Sequence, residues 1–229
     1  EFRAYWVDAW HQPGICTPSE TTATVNYLKS CNCNVIVAQV SKVADSYFTS
    51  SYFPRATNVQ PGYDALADVI TKAHAQGMEV HAWVCVYRCW TQQNDPPWED
   101  HVYKLHPGWL SQTNTGVKFA GNESYLDPGN PAAMMWLVNA FMEIVNNYDI
   151  DGLQFDRIRY PGTDWGYNVT AVGRFNREYG RTGTPNSGDP VWTAWRKAQI
   201  NAFVKQMYCK IMAVKPHVKL GASVWKTAA

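Results

Sequence analysis

The feature that most constrains this chain is the alternation of short apolar strand patterns with longer amphipathic helix patterns. The run Asn34–Val40 is almost continuously apolar, which is typical of a strand buried on both faces. In Glu79–Arg88, small aliphatic residues alternate with bulky polar and aromatic ones, so one face suits helix packing and the other faces away from the helices. Strands that alternate with helices predict a parallel α/β sheet rather than an antiparallel one.

The number of strand patterns sets the expected architecture. We find five, from residues 2–10 to residues 218–225. Eight strand–helix units close a TIM-type (β/α)8 barrel, for which about 250 residues is typical. We therefore expect residues 1–229 to be the N-terminal part of one such barrel, with about three units missing. The alternative is a complete open sheet of five strands, although its last strand would leave an uncovered edge.

The segment Asp149–Gly162 carries the strongest functional signal. An Asp-Gly turn leads into a short strand, and a Pro-Gly pair ends the run. Strand parity directs its apolar residues toward the helices and Asp156 toward the opposite face. A carboxylate at the carboxyl end of a strand lies where α/β barrels keep their active sites, so Asp156 is our predicted catalytic residue. The alternative is a structural ion pair with Arg157 or Arg159.

The composition suggests the class of ligand. The chain contains 11 Trp and 13 Tyr, more than a core of this size requires, and such rings favour wet concave surfaces. Sugar rings stack on aromatic faces, so we expect a polysaccharide or oligosaccharide partner. A formal net charge of +1 gives no reason to expect nucleic acid or an anionic membrane. No apolar run is long enough to predict a membrane span.

Strand parity also predicts which side chains surround Asp156 in one lumen and its mouth. Asp8, Arg157 and Tyr160 adjoin the same strand ends and complete the set of candidate substrate contacts. The whole set is Trp6, Asp8, Gln39, His81, Trp83, Tyr87, Arg157, Tyr160 and Trp225. We expect Trp83, Tyr160 and Trp225 to act as stacking platforms. His81 would bind a sugar hydroxyl or alter the pKa of Asp156, unless it is an ordinary core histidine.

Hydrolysis of a glycosidic bond usually needs two carboxyl groups. Asp127, in a Leu-Asp-Pro-Gly loop, is our predicted partner of Asp156, and Asp8 is the other local candidate. Asp127 has an equally simple interpretation as a turn-forming residue before proline. A partner from the missing strands would leave this chain inactive by itself. Histidine and aspartate spacings match no common metal site, so we expect no metal and no cofactor.

The six cysteines leave the redox environment open. Neither Cys31 with Cys33 nor Cys85 with Cys89 has the C-x-x-C spacing of redox or zinc pairs. One or two disulfides would form if the protein is exported, whereas Cys85 on a strand is equally consistent with a small buried apolar group. The chain starts at its first strand with no basic and apolar leader pattern, so we expect any export signal to have been removed or left out of this sequence.

A series of motifs runs along the chain in the order Phe2-Arg-Ala-Tyr-Trp-Val, Gly62-Tyr-Asp-Ala-Leu-Ala, Glu79-Val-His-Ala-Trp, Val86-Tyr-Arg, His106-Pro-Gly-Trp-Leu, Leu126-Asp-Pro-Gly-Asn-Pro, Tyr148-Asp-Ile-Asp-Gly-Leu-Gln-Phe-Asp-x-x-Arg-Tyr-Pro and Val214-Lys-Pro-His-Val-Lys-Leu-Gly. This series resembles, in the same order, the motifs of the glycosyl-hydrolase-like family ten. The resemblance implies a TIM-type barrel that continues past residue 229. It also implies export from a bacterial cell and glycoside hydrolase activity on an extracellular polysaccharide.

Two positions depart from that family pattern. Such proteins often have Gln-Val-Arg at the end of the second strand, whereas here Ser41 follows Gln39-Val40 and Lys42 is the nearest cation. They often have a second aspartate after the Asp156 equivalent, whereas here Arg157 stands there. Arg157 in place of a carboxylate and the missing strands both favour a competing class, a non-catalytic carbohydrate-binding barrel or a subunit of an extracellular assembly.

Overall fold

The computed structural model describes residues 1–12, 14–91 and 94–224. Its strands are β1 (Ala4–Val7), β2 (Val35–Ser41), β3 (Glu79–Cys85), β4 (Arg88–Trp90), β5 (Ser124–Tyr125), β6 (Gly152–Asp156) and β7 (Lys219–Ala222). Its α-helices are α1 (Pro18–Ser30), α2 (Ala65–His74), α3 (Val102–Leu105), α4 (Pro131–Asn147), α5 (Val169–Tyr179) and α6 (Pro190–Val214). A short 3-10 helix, Pro107–Trp109, follows α3.

A five-stranded sheet in the order β1-β2-β3-β6-β7 organises the fold, and every neighbouring pair in it is parallel. The predicted α/β class with a parallel sheet is therefore confirmed. The predicted third strand was too long, because β3 ends at Cys85 and Arg88 begins β4. The amide of Val86 donates to the carbonyl of Asp156 at 2.7 Å as the chain leaves the sheet. Strands β4 and β5 then pair in a small antiparallel sheet that the sequence pattern did not reveal.

Side-chain caps start the helices close to their predicted positions. Asp64, Asn130 and Asp189 each accept backbone N–H bonds from the first turn of α2, α4 and α6. For α1 the cap is Thr17, with Pro18 in the first turn. Proline fits there because its missing N–H would have no partner in the first turn anyway.

Aromatic and aliphatic side chains fill the layer between the sheet and the helices. Phe155 of β6 lies 6.0 Å from Phe141 of α4 and 5.6 Å from Phe203 of α6, measured between ring centroids. Burial of a phenylalanine side chain stabilises a fold by about 1.5–3 kcal/mol. A second cluster packs α5 on α6 and includes the stacked rings of Trp192 and Trp195, 5.2 Å apart. Some of the tryptophans that suggested a ligand surface are therefore core residues.

The carboxyl ends of the five parallel strands lie along one edge of the sheet, and this edge holds the candidate site. Strands β1 and β7 each pair with a single neighbour in the described part of the chain. None of the helices within residues 1–12, 14–91 and 94–224 has the length and apolar character required to cross a membrane.

Candidate active site

Asp156 ends β6 opposite Cys85 of β3, and its side chain is 22 % exposed. Its Oδ1 accepts the N–H of Arg157 at 2.7 Å and lies 3.9 Å from Arg159 Nη1. Arg157 has φ = +51°, a left-handed conformation that is uncommon for residues other than glycine. The turn after β6 thus places a backbone donor and a guanidinium beside a partly accessible carboxylate.

Glu123, which sequence reasoning missed, lies immediately before β5 and joins two arginines of the site. Its Oε1 is 3.2 Å from Arg88 Nη1 and 2.9 Å from Arg157 Nη2, and its Oε2 accepts the hydroxyl of Tyr125. Burial raises the pKa of Glu123, but the Tyr125 hydroxyl, Arg157 and Arg88 together outweigh burial and lower it. Glu123 is therefore ionised at neutral pH. Because β5 has only two residues, it left no recognisable strand pattern.

Arg88 connects the ends of β2, β3 and β5 from a buried position. Its Nε donates to the carbonyl of Lys42 at 2.9 Å, and its Nη2 lies 3.2 Å from Cys85 Sγ. The same sulfur lies 4.0 Å from Asp156 Oδ2. Burial raises the pKa of the Cys85 thiol to about 12, so this sulfur is a neutral contact rather than a thiolate.

Trp6 and Trp83 form the aromatic part of the face that also carries Asp156. Their rings meet edge to face at a centroid distance of 4.8 Å. Trp6 is 43 % exposed, which leaves much of its ring accessible. The two rings and Asp156 thus share the face that strand parity assigned to the lumen.

His81 lies on the same face but far from Asp156. It pairs in register with Gly152, whereas Asp156 pairs with Cys85, four residues further along β3 and about 13 Å away. Its Nε2 is 3.2 Å from Glu79 Oε2. A Cβ on Gly152 would come within 2.6 Å of the His81 ring, so the glycine makes room for it. His81 is therefore too far from Asp156 for a direct interaction between the two side chains.

Three other predicted contacts place some or all of their polar atoms inside the protein. Gln39 is buried and uses its side chain internally, accepting the amide of Ala9 at 3.0 Å and contacting Cys85. Tyr87 is buried in the helix layer, 5.6 Å from Phe203, because the chain leaves β3 before reaching it. Tyr160 has a fully enclosed hydroxyl. Burial corrects the predictions that Gln39 and Tyr87 contact substrate directly. Tyr160 is only partly buried, so its role as a stacking platform stays a prediction.

Asp127, the predicted second carboxyl group, is completely buried. Its Oδ1 accepts the N–H of Gly129 at 2.8 Å, which is the turn-forming role considered as the alternative. Burial raises the pKa of Asp127 to about 6, against the opposing effect of the Gly129 amide. Tyr87 and Tyr160 are its electrostatic neighbours. A catalytic role for Asp127 is inconsistent with this enclosure, since substrate cannot reach it.

Asp8 follows β1 and organises its own loop. It accepts the backbone N–H groups of Trp10 and His11 and lies 2.8 Å from His11 Nδ1. Burial raises the pKa of Asp8, but these hydrogen bonds lower it by a larger amount. The pKa of Asp8 is therefore below the ordinary value of an aspartate. Trp225 lies outside the described residues.

Metal and disulfide chemistry find no support in the described residues. Within residues 1–12, 14–91 and 94–224, no group of three or more His, Cys, Asp or Glu side chains could hold a metal ion. All six cysteines, each of which is described, are free.

The chain combines a parallel sheet with an accessible carboxylate at the carboxyl edge of that sheet. Two solved structures are similar to it in fold. α-L-Fucosidase isoenzyme 2 from Paenibacillus thiaminolyticus matches 97 % of this chain and 32 % of its own, with a TM-score of 0.73 and 15 % identity. The α-galactosidase from Lactobacillus brevis matches 97 % of this chain and 27 % of its own, with a TM-score of 0.59 and 14 % identity. At such low identity the likeness shows the fold alone, an α/β fold with a parallel sheet of the TIM-barrel type.

The family follows from the sequence match. The model of the family described as glycosyl hydrolase-like 10 matches residues 1–228, and the chain belongs to this family. Glycosyl hydrolase YngK of Bacillus subtilis is 34 % identical over 207 residues, 86 % of this chain and 38 % of YngK. Glycosyl hydrolase DigH of Escherichia coli K12 is 26 % identical over 226 residues, 88 % of this chain and 47 % of DigH. The chain thus spans less than half the length of these relatives.

Proposed function

We propose that this protein is a glycoside hydrolase acting on an extracellular polysaccharide, with Asp156 as acid/base or nucleophile. The observation that carries the proposal is the position of Asp156, partly exposed at the carboxyl end of the fourth strand of a parallel sheet. Membership of the glycosyl hydrolase-like 10 family supports the reaction class. Secretion by a bacterial cell is part of the same proposal.

The second carboxyl group must lie about 5–9.5 Å from the first. Asp127 is enclosed, and Glu123 is held ionised between two arginines, which makes it a poor proton donor. We therefore propose that residues 1–229 form the N-terminal part of one (β/α)8 barrel, whose later strands supply the partner of Asp156. The greater length of YngK and DigH is consistent with this division.

For substrate binding we propose stacking on the Trp6 and Trp83 rings and polar contacts from Asp8 and Arg157. Trp6 and Trp83 share the face of Asp156, and Asp8 follows β1 at the same carboxyl edge of the sheet. Arg157 is half-buried and paired with Glu123, so it can present a fixed guanidinium to a sugar hydroxyl.

A second candidate is a non-catalytic carbohydrate-binding barrel or a subunit of an extracellular assembly. Its support is Arg157, a cation directly after Asp156, together with Glu123, whose carboxylate is already engaged by Arg88 and Arg157. Binding requires exposed rings but no acid pair, so cleavage of a glycan distinguishes the hydrolase from the binding protein.

The test is reducing-end release from a panel of bacterial and plant polysaccharides by the full-length gene product. The variant is Asp156→Asn, and the matched control is Asp149→Asn at the opposite, amino end of β6, where the carboxylate is largely exposed. We expect wild type and the control to cleave one glycan and Asp156→Asn to bind it without cleavage. Binding without cleavage by wild type would instead establish the second candidate. Equal cleavage by Asp156→Asn would refute the catalytic assignment.

A further inference from the structure

A cavity of about 160 Å³ lies beside the carboxyl end of β2. Its lining residues differ from those assigned above to the site around Asp156. Its lining combines aromatic rings with one cation and one carboxylate. The lining residues used below are Trp10, Lys42, Asp45, Trp90 and Trp98.

Three tryptophans form the aromatic part of this cavity. Trp90 and Trp98 meet edge to face at 5.9 Å, and Trp98 stacks on His101 at 5.7 Å. His101 is itself held by a 2.8 Å contact with the carbonyl of Val43, so the Trp98 ring has a fixed support. The indole N–H of Trp90 already donates to the carbonyl of Asn94. This group of rings therefore presents apolar surface to a ligand.

Lys42 and Asp45 supply the polar part and leave hydrogen-bonding capacity unused. Lys42 Nζ lies 3.9 Å from Asp45 Oδ2, beyond hydrogen-bond length, and the Lys42 side chain is only 13 % exposed. Asp45 is fully buried, and its Oδ1 accepts the amides of Lys42 and Val43. Its Oδ2 has no hydrogen-bond partner within the described residues. That oxygen is enclosed, so Asp45 acts on a ligand through the neighbouring Lys42 ammonium.

We propose that this cavity is a subsite for one neutral pyranose ring of a glycan. One sugar hydroxyl accepts from Lys42 Nζ, while the ring face packs on the tryptophans. The enclosed Asp45 carboxylate, 3.9 Å from Lys42 Nζ, positions that ammonium and balances its charge. The Lys42–Asp45 pair has no net charge, which favours a neutral sugar because an acidic one would bring a second carboxylate toward Asp45.

The subsite adjoins the candidate active site through Arg88. The guanidinium lies 5.3 Å from the Trp10 ring, and its Nε donates to the carbonyl of Lys42. Its other nitrogens contact Glu123 and the Cys85 sulfur, which neighbours Asp156. A glycan chain along the strand ends can thus span both places. The inference rests on the proposed function for the glycan class, but its test measures binding alone.

The test is titration calorimetry with cellotetraose and tetra-N-acetylchitotetraose as neutral probes and tetragalacturonic acid as the acidic probe. Variants are Lys42→Met, which keeps the side-chain stem, Asp45→Asn, and Trp98→Ala. The matched control is Lys29→Met on the exposed face of α1. We expect a neutral probe to bind wild type and the control equally, and each of the three variants to bind it about tenfold more weakly. The double variant Lys42→Met/Asp45→Asn should lose less than the sum of the single losses, because Asp45 acts through Lys42.

Several outcomes would overturn the subsite. They are binding by Lys42→Met that equals wild type, preference for tetragalacturonic acid, or no binding of either neutral probe. Asp45→Asn can disturb its loop. If this variant unfolds at a lower temperature than wild type, the binding result for Lys42→Met is the decisive one. Asp156→Asn distinguishes the two proposals: unchanged probe binding with lost cleavage supports both, and unchanged cleavage rejects the catalytic assignment without affecting the subsite.

Discussion

Two aspartates, Asp156 and Asp127, each follow a strand of this fold and yet occupy opposite environments. Asp156 ends β6 with part of its carboxylate exposed and Arg159 nearby. Asp127 comes two residues after β5 and is fully enclosed, with its Oδ1 spent on the Gly129 amide. Residue type and position near a strand end therefore do not determine whether substrate can reach a carboxylate. The elements packed around the carboxylate determine this.

The largest expected effect separates the two aspartates by activity. In the full-length gene product, Asp156→Asn should lower the cleavage rate by about 10²- to 10⁴-fold, the usual contribution of a general acid or base. Asp127→Asn should retain the wild-type rate within about threefold, because its carboxylate does not reach substrate. Reducing-end assays on the two variants check this. A comparable loss for both would mean that Asp127 supports the site indirectly.

The next effect concerns stability and pH. Burial raises the pKa of folded Asp127 to about 6, above the value of an unfolded aspartate. Protonated Asp127 therefore stabilises the fold at low pH. This stabilisation is lost as pH rises from about 4 to about 6, which lowers the free energy of unfolding by about 3 kcal/mol. Asp127→Asn should gain that much stability relative to wild type between pH 4 and pH 7.5. Urea unfolding at several pH values measures the difference, and a constant difference would contradict the assignment.

A smaller effect is expected at Glu123. Glu123→Gln removes the carboxylate that pairs with buried Arg88 and with Arg157, and should cost about 1–3 kcal/mol of unfolding free energy. Glu99→Gln, at an exposed pair with Lys104, is the matched control and should change stability by less than about 0.5 kcal/mol. Because the folded pKa of Glu123 is lowered, its stabilisation is present at neutral pH and is lost as pH falls through that pKa.

Equal unfolding free energies for Glu123→Gln and Glu99→Gln would show that Arg88 finds another acceptor. Retained stability combined with lost cleavage would assign Glu123 to the reaction rather than to the support of Arg88 and Arg157.

The smallest expected effect is at the aromatic face. Trp6→Ala removes a partly exposed ring that packs on Trp83, a pair worth about 0.5–1.5 kcal/mol. If this ring stacks on substrate, KM should rise roughly two- to tenfold with kcat unchanged. Tyr208→Ala, at an exposed ring on α6, is the control. Steady-state kinetics on a soluble glycan measure both, and an unchanged KM would remove Trp6 from the site.

Much of the fold was predictable because its signals are local. The five parallel strands and the caps Asp64 and Asp189 follow from periodicity and capping chemistry within a few residues of each element. The site was less predictable. Tyr87 was assigned to the lumen by extending the β3 alternation two residues too far, since the chain leaves the sheet at Cys85.

The sequence by itself determined the class of sheet, the family resemblance and the position of Asp156 at a strand end, because each depends on residues close together in the chain. Only the tertiary structure decided that Glu123 joins Arg88 and Arg157, that Lys42 and Asp45 share a cavity with tryptophans, and that Asp127 is enclosed. Those contacts depend mainly on how distant segments pack, and packing fixes which polar groups keep contact with solvent and which are buried with their partners.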